Sequence, residues 1–209
     1  MAATKQPQPG VEPEQAPESL DACRRCALWE HATQAVPGAG PRHAPMMIVG
    51  EQPGDQEDLQ GKPFVGPAGA VLDRALEEAG VARKEVYVTN AVKHFKWEPR
   101  GKRRMHKTPG QREIDACHYW LDRETGKVEP KVIVALGSTA LKSVLRDSKA
   151  TLQASMGHAI EHEGHAIIAT YHPSFALRAP DPETRERAYK AIVDALREAH
   201  RLVTHHRTR

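Results

Sequence analysis

Met46-Met47-Ile48-Val49-Gly50-Glu51-Gln52-Pro53-Gly54-Asp55-Gln56-Glu57-Asp58, continuing through Gly61-Lys62-Pro63-Phe64-Val65-Gly66-Pro67-Ala68-Gly69, decides how this chain folds. An apolar run of strand length gives way to prolines, glycines and acids, and Ala70–Ala79 then has helical apolar spacing closed by Gly80. Strand, irregular loop and helix in that order build ligand sites at the carboxyl ends of strands in open α/β sheets. The density of breakers predicts special backbone dihedrals, with neither helix nor strand inside the loop. Ordinary βα connections take about two to six residues, so a connection this long reads as a pocket wall.

Outward from that stretch, 209 residues suffice for one good-sized domain with a buried core. No apolar run approaches the roughly 20 residues of a membrane helix, and Met1–Pro7 lacks the apolar core of a secretory signal, so the expected location is the cytoplasm. Residues 1–18, rich in Pro, Gln and Glu, are expected to be a disordered tail, 19–203 the domain, and 204–209 a fraying end. A net charge of +3 is too mild to diagnose nucleic-acid binding, so the distribution of charge has to decide. Three cysteines argue against a disulfide framework and for thiolate ligands or buried thiols.

Cys23-Arg24-Arg25-Cys26 is a lone C-x-x-C, which serves redox sites, zinc and iron–sulfur clusters alike. Glu85–Val92 is the second predicted parallel strand, with Asn90 near its carboxyl end. Lys93, Lys96, Arg100, Lys102, Arg103, Arg104 and Lys107 then crowd a loop whose only acid is Glu98, interleaved with Phe95, Trp97 and His106. Cations among aromatics suit a phosphate backbone and unstacked bases, although most surface charge runs are merely solvated. A helix from Thr108-Pro109 to near Gly126 leads to the strand Lys131–Gly137, to Ser138 as a cap, and to a helix bearing Leu141, Val144 and Leu145. His158–His162 and His165–Thr170 flank Glu163-Gly164 as a hairpin, and Pro182–His200 closes the chain as a helix. The rhythm is that of a single α/β domain. The Glu51 loop, Asn90, Ser138 and His172 each fall just past a strand's carboxyl end, where they can face one crevice.

Gly50-Glu51-Gln52-Pro53-Gly54, Val88-Thr89-Asn90-Ala91 and His172-Pro173-Ser174 together resemble the active-site motifs of the uracil-DNA glycosylase superfamily, nearest its iron–sulfur branch. Lys102–Pro109 resembles the arginine- and histidine-bearing loop of the UdgX type, whose members become covalently attached to DNA. The similarity runs from about Cys23 to the last helix. It implies a single-domain α/β/α sandwich on a central, mostly parallel four-stranded sheet.

Breaking an N-glycosidic bond leaves an anionic base and an oxocarbenium-like sugar, so such a site must stabilise opposite charges on either side of one bond. His172 can donate to the departing base and Glu51 can offset the cation. The Asn90 carboxamide matches N3–H and O4 of uracil, where cytosine presents the reversed pattern. Phe64 offers a stacking face, Gly50 lets backbone approach closely, and Ser174 completes the base side. The resemblance further implies that His106 attacks the anomeric carbon, that Gln52 and Asp55 help place the sugar and that histidine, and that Arg103 and Arg104 hold flanking phosphates. Glu57 and Asp58 read as a solvated turn or a helix-start charge.

Cys23, Cys26 and Cys117 supply three soft ligands, and His94 stands where the related iron–sulfur enzymes place a further cysteine. The resemblance implies a [4Fe-4S] cluster on these four; Cys₃His is also a common zinc set. The implied partner is uracil-containing DNA, single-stranded by preference, met by a monomer. Two other readings stay open: a glycosylase that turns over while His106 merely touches DNA, and a metal-stapled single-strand binder with no chemistry.

Overall fold

The computed structural model describes residues 17–205. The stretch read as a tail lies outside the described residues except for its last two, as do residues 206–209; the final helix continues through Thr204 to His205. The central sheet is built from β1 (Met46–Gly50), β2 (Val86–Asn90), β5 (Val132–Leu136), β6 (Ala159–His162) and β7 (His165–Thr170), in the order β2-β1-β5-β7-β6. Four of these strands run parallel, and β6 is a fifth, antiparallel edge strand added to the four expected. Its turn, Glu163-Gly164, holds both residues at positive φ (49° and 84°), the backbone a tight two-residue hairpin demands.

Burial on both faces explains the unbroken apolar runs. Met46 and Ile48 point into one core with α2 (Pro67–Glu78) and α7 (Pro182–His205), through Leu72, Leu76, Ile192 and Leu196. Met47 and Val49 point into another with α3 (Gln111–Val128) and α4 (Ser138–Leu145), through Leu121, Val128 and Leu141. An alternating pattern cannot arise where neither face meets water.

From β1 the chain first moves to β2 on one side, then returns past β1 to β5 on the other. The order therefore reverses between β1 and β5, and at that reversal an open α/β sheet parts into a crevice.

Two departures from the expected loops matter for the site. Asp55–Gln60 forms a short helix, α1, inside the glycine–proline stretch. Gly54 caps it, Glu57 reaches back to the Gly54 amide at 3.1 Å, and Gly61 ends it at φ 68°. The basic segment is not a loop but a hairpin, β3 (Trp97–Arg100) with β4 (Arg103–His106), turned by Gly101 at φ 61° and Lys102. It shares no ladder with the central sheet. Helix α4 begins at Ser138 with Gly137 as its cap, so Ser138 itself plays no capping part. The remaining helices are α5 (Leu152–Ser155) and α6 (Pro173–Arg178).

Candidate active site

A cleft of about 570 Å³ opens at the carboxyl ends of the strands, walled by Glu51, Phe64, Asn90, His106, His172 and Arg178 among others. Its floor depends on small residues. A Cβ on Gly50 would lie 2.4 Å from Asn90 Oδ1 and 2.5 Å from Phe64 Cζ, so only glycine lets the carboxamide and the ring close over the end of β1. Phe64 itself sits at φ 55°, and Gly69 must lack a side chain because its Cβ would fall 1.9 Å from the Phe64 carbonyl. That strained corner turns the ring toward His172, with centroids 6.0 Å apart.

Asn90 is 2% exposed, and its side chain has no hydrogen-bond partner among the described residues, although it borders an open cleft. Its donor and acceptor are therefore both free to meet a ligand in the cleft. Its backbone is anchored from below, where Lys93 Nζ donates to the Asn90 carbonyl at 2.8 Å.

His172 has a defined tautomer. The Ser174 amide donates to Nδ1 at 3.2 Å, so Nδ1 is an acceptor and Nε2 carries the proton. Burial, followed by the fields of His106 and Arg178, brings this imidazole down to about 4, which keeps it neutral. Ser174 Oγ lies 2.8 Å from Nδ1 and accepts from Arg178 at 3.0 Å, so Ser174 orients the histidine.

Across the cleft, β4 delivers His106. Its Nε2 lies 3.3 Å from Glu51 Oε1, and the other oxygen of Glu51 accepts from Thr139 Oγ1 at 2.5 Å. Burial holds the His106 imidazole below the ordinary histidine range, Glu51 opposes this, and Arg178 adds to it. Glu51, His106, His172, Phe64, Asn90 and Ser174 thus meet in one cleft, with Gly50 beneath them.

Gln52 and Asp55 also line the cleft and hold the hairpin that carries His106. Gln52 is buried and clamps the base of the hairpin, donating to the Lys107 carbonyl at 2.9 Å and accepting from the Lys96 amide at 3.1 Å. Arg104 does not face phosphate: its guanidinium is held at 2.6 Å by Asp55 and at 2.6 Å by Asp58, and is 20% exposed. Asp55 lines the cleft and, through Arg104, ties α1 to the strand that carries His106. Asp58 and Glu57 are helix-start charges in the first turn of α1 and not a solvated turn; Asp58 is 0% exposed and also accepts from the Thr33 amide. Glu57 likewise is buried and ties the amides of Gly54 and Gly66.

Several cations of the basic segment are spent on acids of the same chain. Lys93 is 0% exposed and bound to Glu124 at 2.6 Å, while Lys96 pairs with Glu113 and Lys107 with Glu98. Arg100, Lys102 and Arg103 remain as exposed cations around the hairpin tip. Thr139 and Glu124 were not singled out by sequence; an adjacent strand-end serine drew attention from the first, and nothing marked the second.

The proposed metal ligands Cys23, Cys26, His94 and Cys117 come from three segments that pack together. Trp120 Nε1 donates to Cys23 Sγ at 3.2 Å, and Cys26 packs against Cys117 in a small core with Leu28 and Val92. A hydrogen bond from Cys117 lowers the Cys26 thiol to about 7, while the same bond and burial push Cys117 up. His94 Nδ1 is buried without a partner. The donor chemistry suits a thiophilic cluster: three thiols and an unspent imidazole nitrogen on segments that pack together. Among the described residues no three histidine, cysteine or acidic side chains are gathered closely enough to hold a metal ion.

Residues 37–197 match the Uracil DNA glycosylase superfamily, and the chain belongs to it. Its relatives narrow the placement. It is 37% identical over 172 residues to the type-4 uracil-DNA glycosylase of Sulfurisphaera tokodaii, covering 78% of this chain and 75% of that protein. Against the type-4 uracil-DNA glycosylase of Thermotoga maritima the identity is 37% over 169 residues, covering 80% and 84%. The type-5 uracil-DNA glycosylase of Pyrobaculum aerophilum is 32% identical over 167 residues, covering 72% and 70%.

Proposed function

We propose that this protein excises uracil from DNA and then joins the abasic sugar covalently through His106, as the UdgX type does. The observation that carries the reading is the placement of His106 Nε2 3.3 Å from Glu51 in the same cleft as the unpartnered Asn90 amide and the neutral His172. Uracil flipped into the cleft would satisfy Asn90 through N3–H and O4 and stack beside Phe64. The Nε2–H of His172 donates to the base as the C1′–N1 bond breaks and the bonding electrons leave with uracil. Glu51 offsets the oxocarbenium that remains.

Capture follows without a co-reactant. A neutral imidazole nitrogen of His106 gives its lone pair to C1′, and the proton on the other ring nitrogen leaves to solvent, so the alkylated ring ends neutral. Exposed cations around the tip, Arg100, Lys102 and Arg103, serve a flexible phosphate backbone, which favours single-stranded DNA. One chain carries every residue named, so the protein works as a monomer, in the cytoplasm. Cys23, Cys26, Cys117 and His94 would hold a [4Fe-4S] cluster, supplying a structural tie between the amino-terminal segment, the exit of β2 and α3.

Incubation with a uracil-containing oligonucleotide should yield a protein–DNA band that survives boiling in denaturant. His106→Ser should still release uracil but leave free abasic DNA. Repeated turnover by the parent, with no such band, would identify an ordinary glycosylase instead; salt-sensitive binding without uracil release would identify a binding protein.

A further inference from the structure

We infer that Thr139 is a positioning residue for the capture step: its hydroxyl commits one oxygen of Glu51, leaving the other aimed at the His106 imidazole. The inference rests on the reading that His106 takes the sugar.

Thr139 Oγ1 donates to Glu51 Oε2 at 2.5 Å, and Glu51 Oε1 is the oxygen 3.3 Å from His106 Nε2. Thr139 is only 8% exposed, so water competes little for that oxygen. The bond crosses the place where strand order reverses, tying the residue after β1 to the first turn of α4, which follows β5. Gly137, at φ 87°, permits it. A Cβ there would approach His172 Cβ to 3.1 Å, so glycine lets α4 start tight against the base-side histidine while Thr139 reaches the sugar side.

The two steps demand different things of Glu51. Offsetting a cation is a Coulomb effect that falls slowly with distance and tolerates rotation of the carboxylate. Orienting an imidazole for attack needs the facing oxygen, here 3.3 Å from Nε2, held where a hydrogen bond can form, and such bonds weaken steeply with angle. A free carboxylate can swing; one anchored by a short hydroxyl bond holds its second oxygen in place. Removing the anchor should therefore slow capture far more than excision.

The experiment follows uracil release and the heat-stable adduct in the same single-turnover reaction, for the parent, Thr139→Val and Thr139→Ser. Loss of a hydrogen bond to a charged group predicts adduct formation roughly ten- to a hundred-fold slower in Thr139→Val. Uracil release and the unfolding midpoint should change far less, so abasic DNA accumulates before it is joined. Thr139→Ser, which keeps the hydroxyl, should restore capture. Should Thr139→Val fail to fold, Thr139→Ala removes the same donor with less bulk. Capture at the parental rate in the variant lacking the hydroxyl overturns the inference, as does an equal fall in release and capture, or a serine variant as slow as the valine one. A parent that releases uracil and never joins DNA sinks the His106 reading itself, and this inference with it.

Discussion

His172 illustrates how burial selects a protonation state and what that selection costs. An unfolded histidine takes up a proton near 6.5, whereas this one waits until about 4. As pH falls through that window the unfolded chain binds the extra proton first, so stability declines from about pH 6.5 and levels off only below 4. The cost between pH 7.5 and 5 comes to about 2 kcal/mol. His172→Gln cannot titrate, so urea midpoints at the two pH values should show the parent losing more stability than the variant by roughly that amount. Individual residues were unevenly legible beforehand. Asn90 and His172 stand at strand ends where a side chain has little choice but to face the crevice. Lys93 was misread because a lysine within a basic run looks solvated; only tertiary packing put Glu124 and Thr89 within 2.6 Å of its ammonium. Thr139 was missed by one position, since the backbone at Gly137 decides which residue after β5 reaches Glu51.

Among elements, the β3–β4 hairpin determines whether His106 reaches the cleft. Little holds it except side chains: Gln52 at its base and Arg104 on its flank, whose guanidinium also lies over Phe95 and Trp97 at 5.4 and 5.6 Å. Arg104→Met should keep the stem's bulk while freeing the hairpin from α1. Covalent attachment should fall roughly ten-fold or more, as expected for loss of charged hydrogen bonds. Excision should fall much less, a split that gel and uracil-release assays can follow together. The cost to stability should be real as well, because Asp58 is left buried without its cation. Neither α1 nor the hairpin could be read in advance. Helix α1 hides among glycines because its cap, Gly54, has no side chain and its amide is served by Glu57 instead, and the hairpin hides because most of its residues face water and show no apolar alternation. Strands β1 and β5, closed in on both faces, were plain from their unbroken apolar runs.

Across the whole molecule, the sheet, α3 and the amino-terminal segment meet at a buried ion pair. Lys93 Nζ binds Glu124 at 2.6 Å, and Glu124 in turn accepts from the Gly38 amide at 2.8 Å. Glu124→Ala strands a lysine that is 0% exposed, which should cost about 3–5 kcal/mol in denaturant titration. Replacing both partners by apolar residues of similar volume should recover much of that loss, because the expense lies in the orphaned charge. Overall architecture was legible because helix and strand patterns alternate in order; the coupling between distant segments was not, since no local pattern announces which buried charges will find each other. The independence of the hairpin from the main ladder has a last consequence. Removing residues 97–106 would disturb no strand register in the five-stranded sheet, so the hairpin is joined to that sheet's loops by side chains and not by a shared ladder. Where His106 takes the sugar as proposed, exchanging this hairpin would add or remove capture while leaving in place the strand ends that carry Glu51, Asn90 and His172.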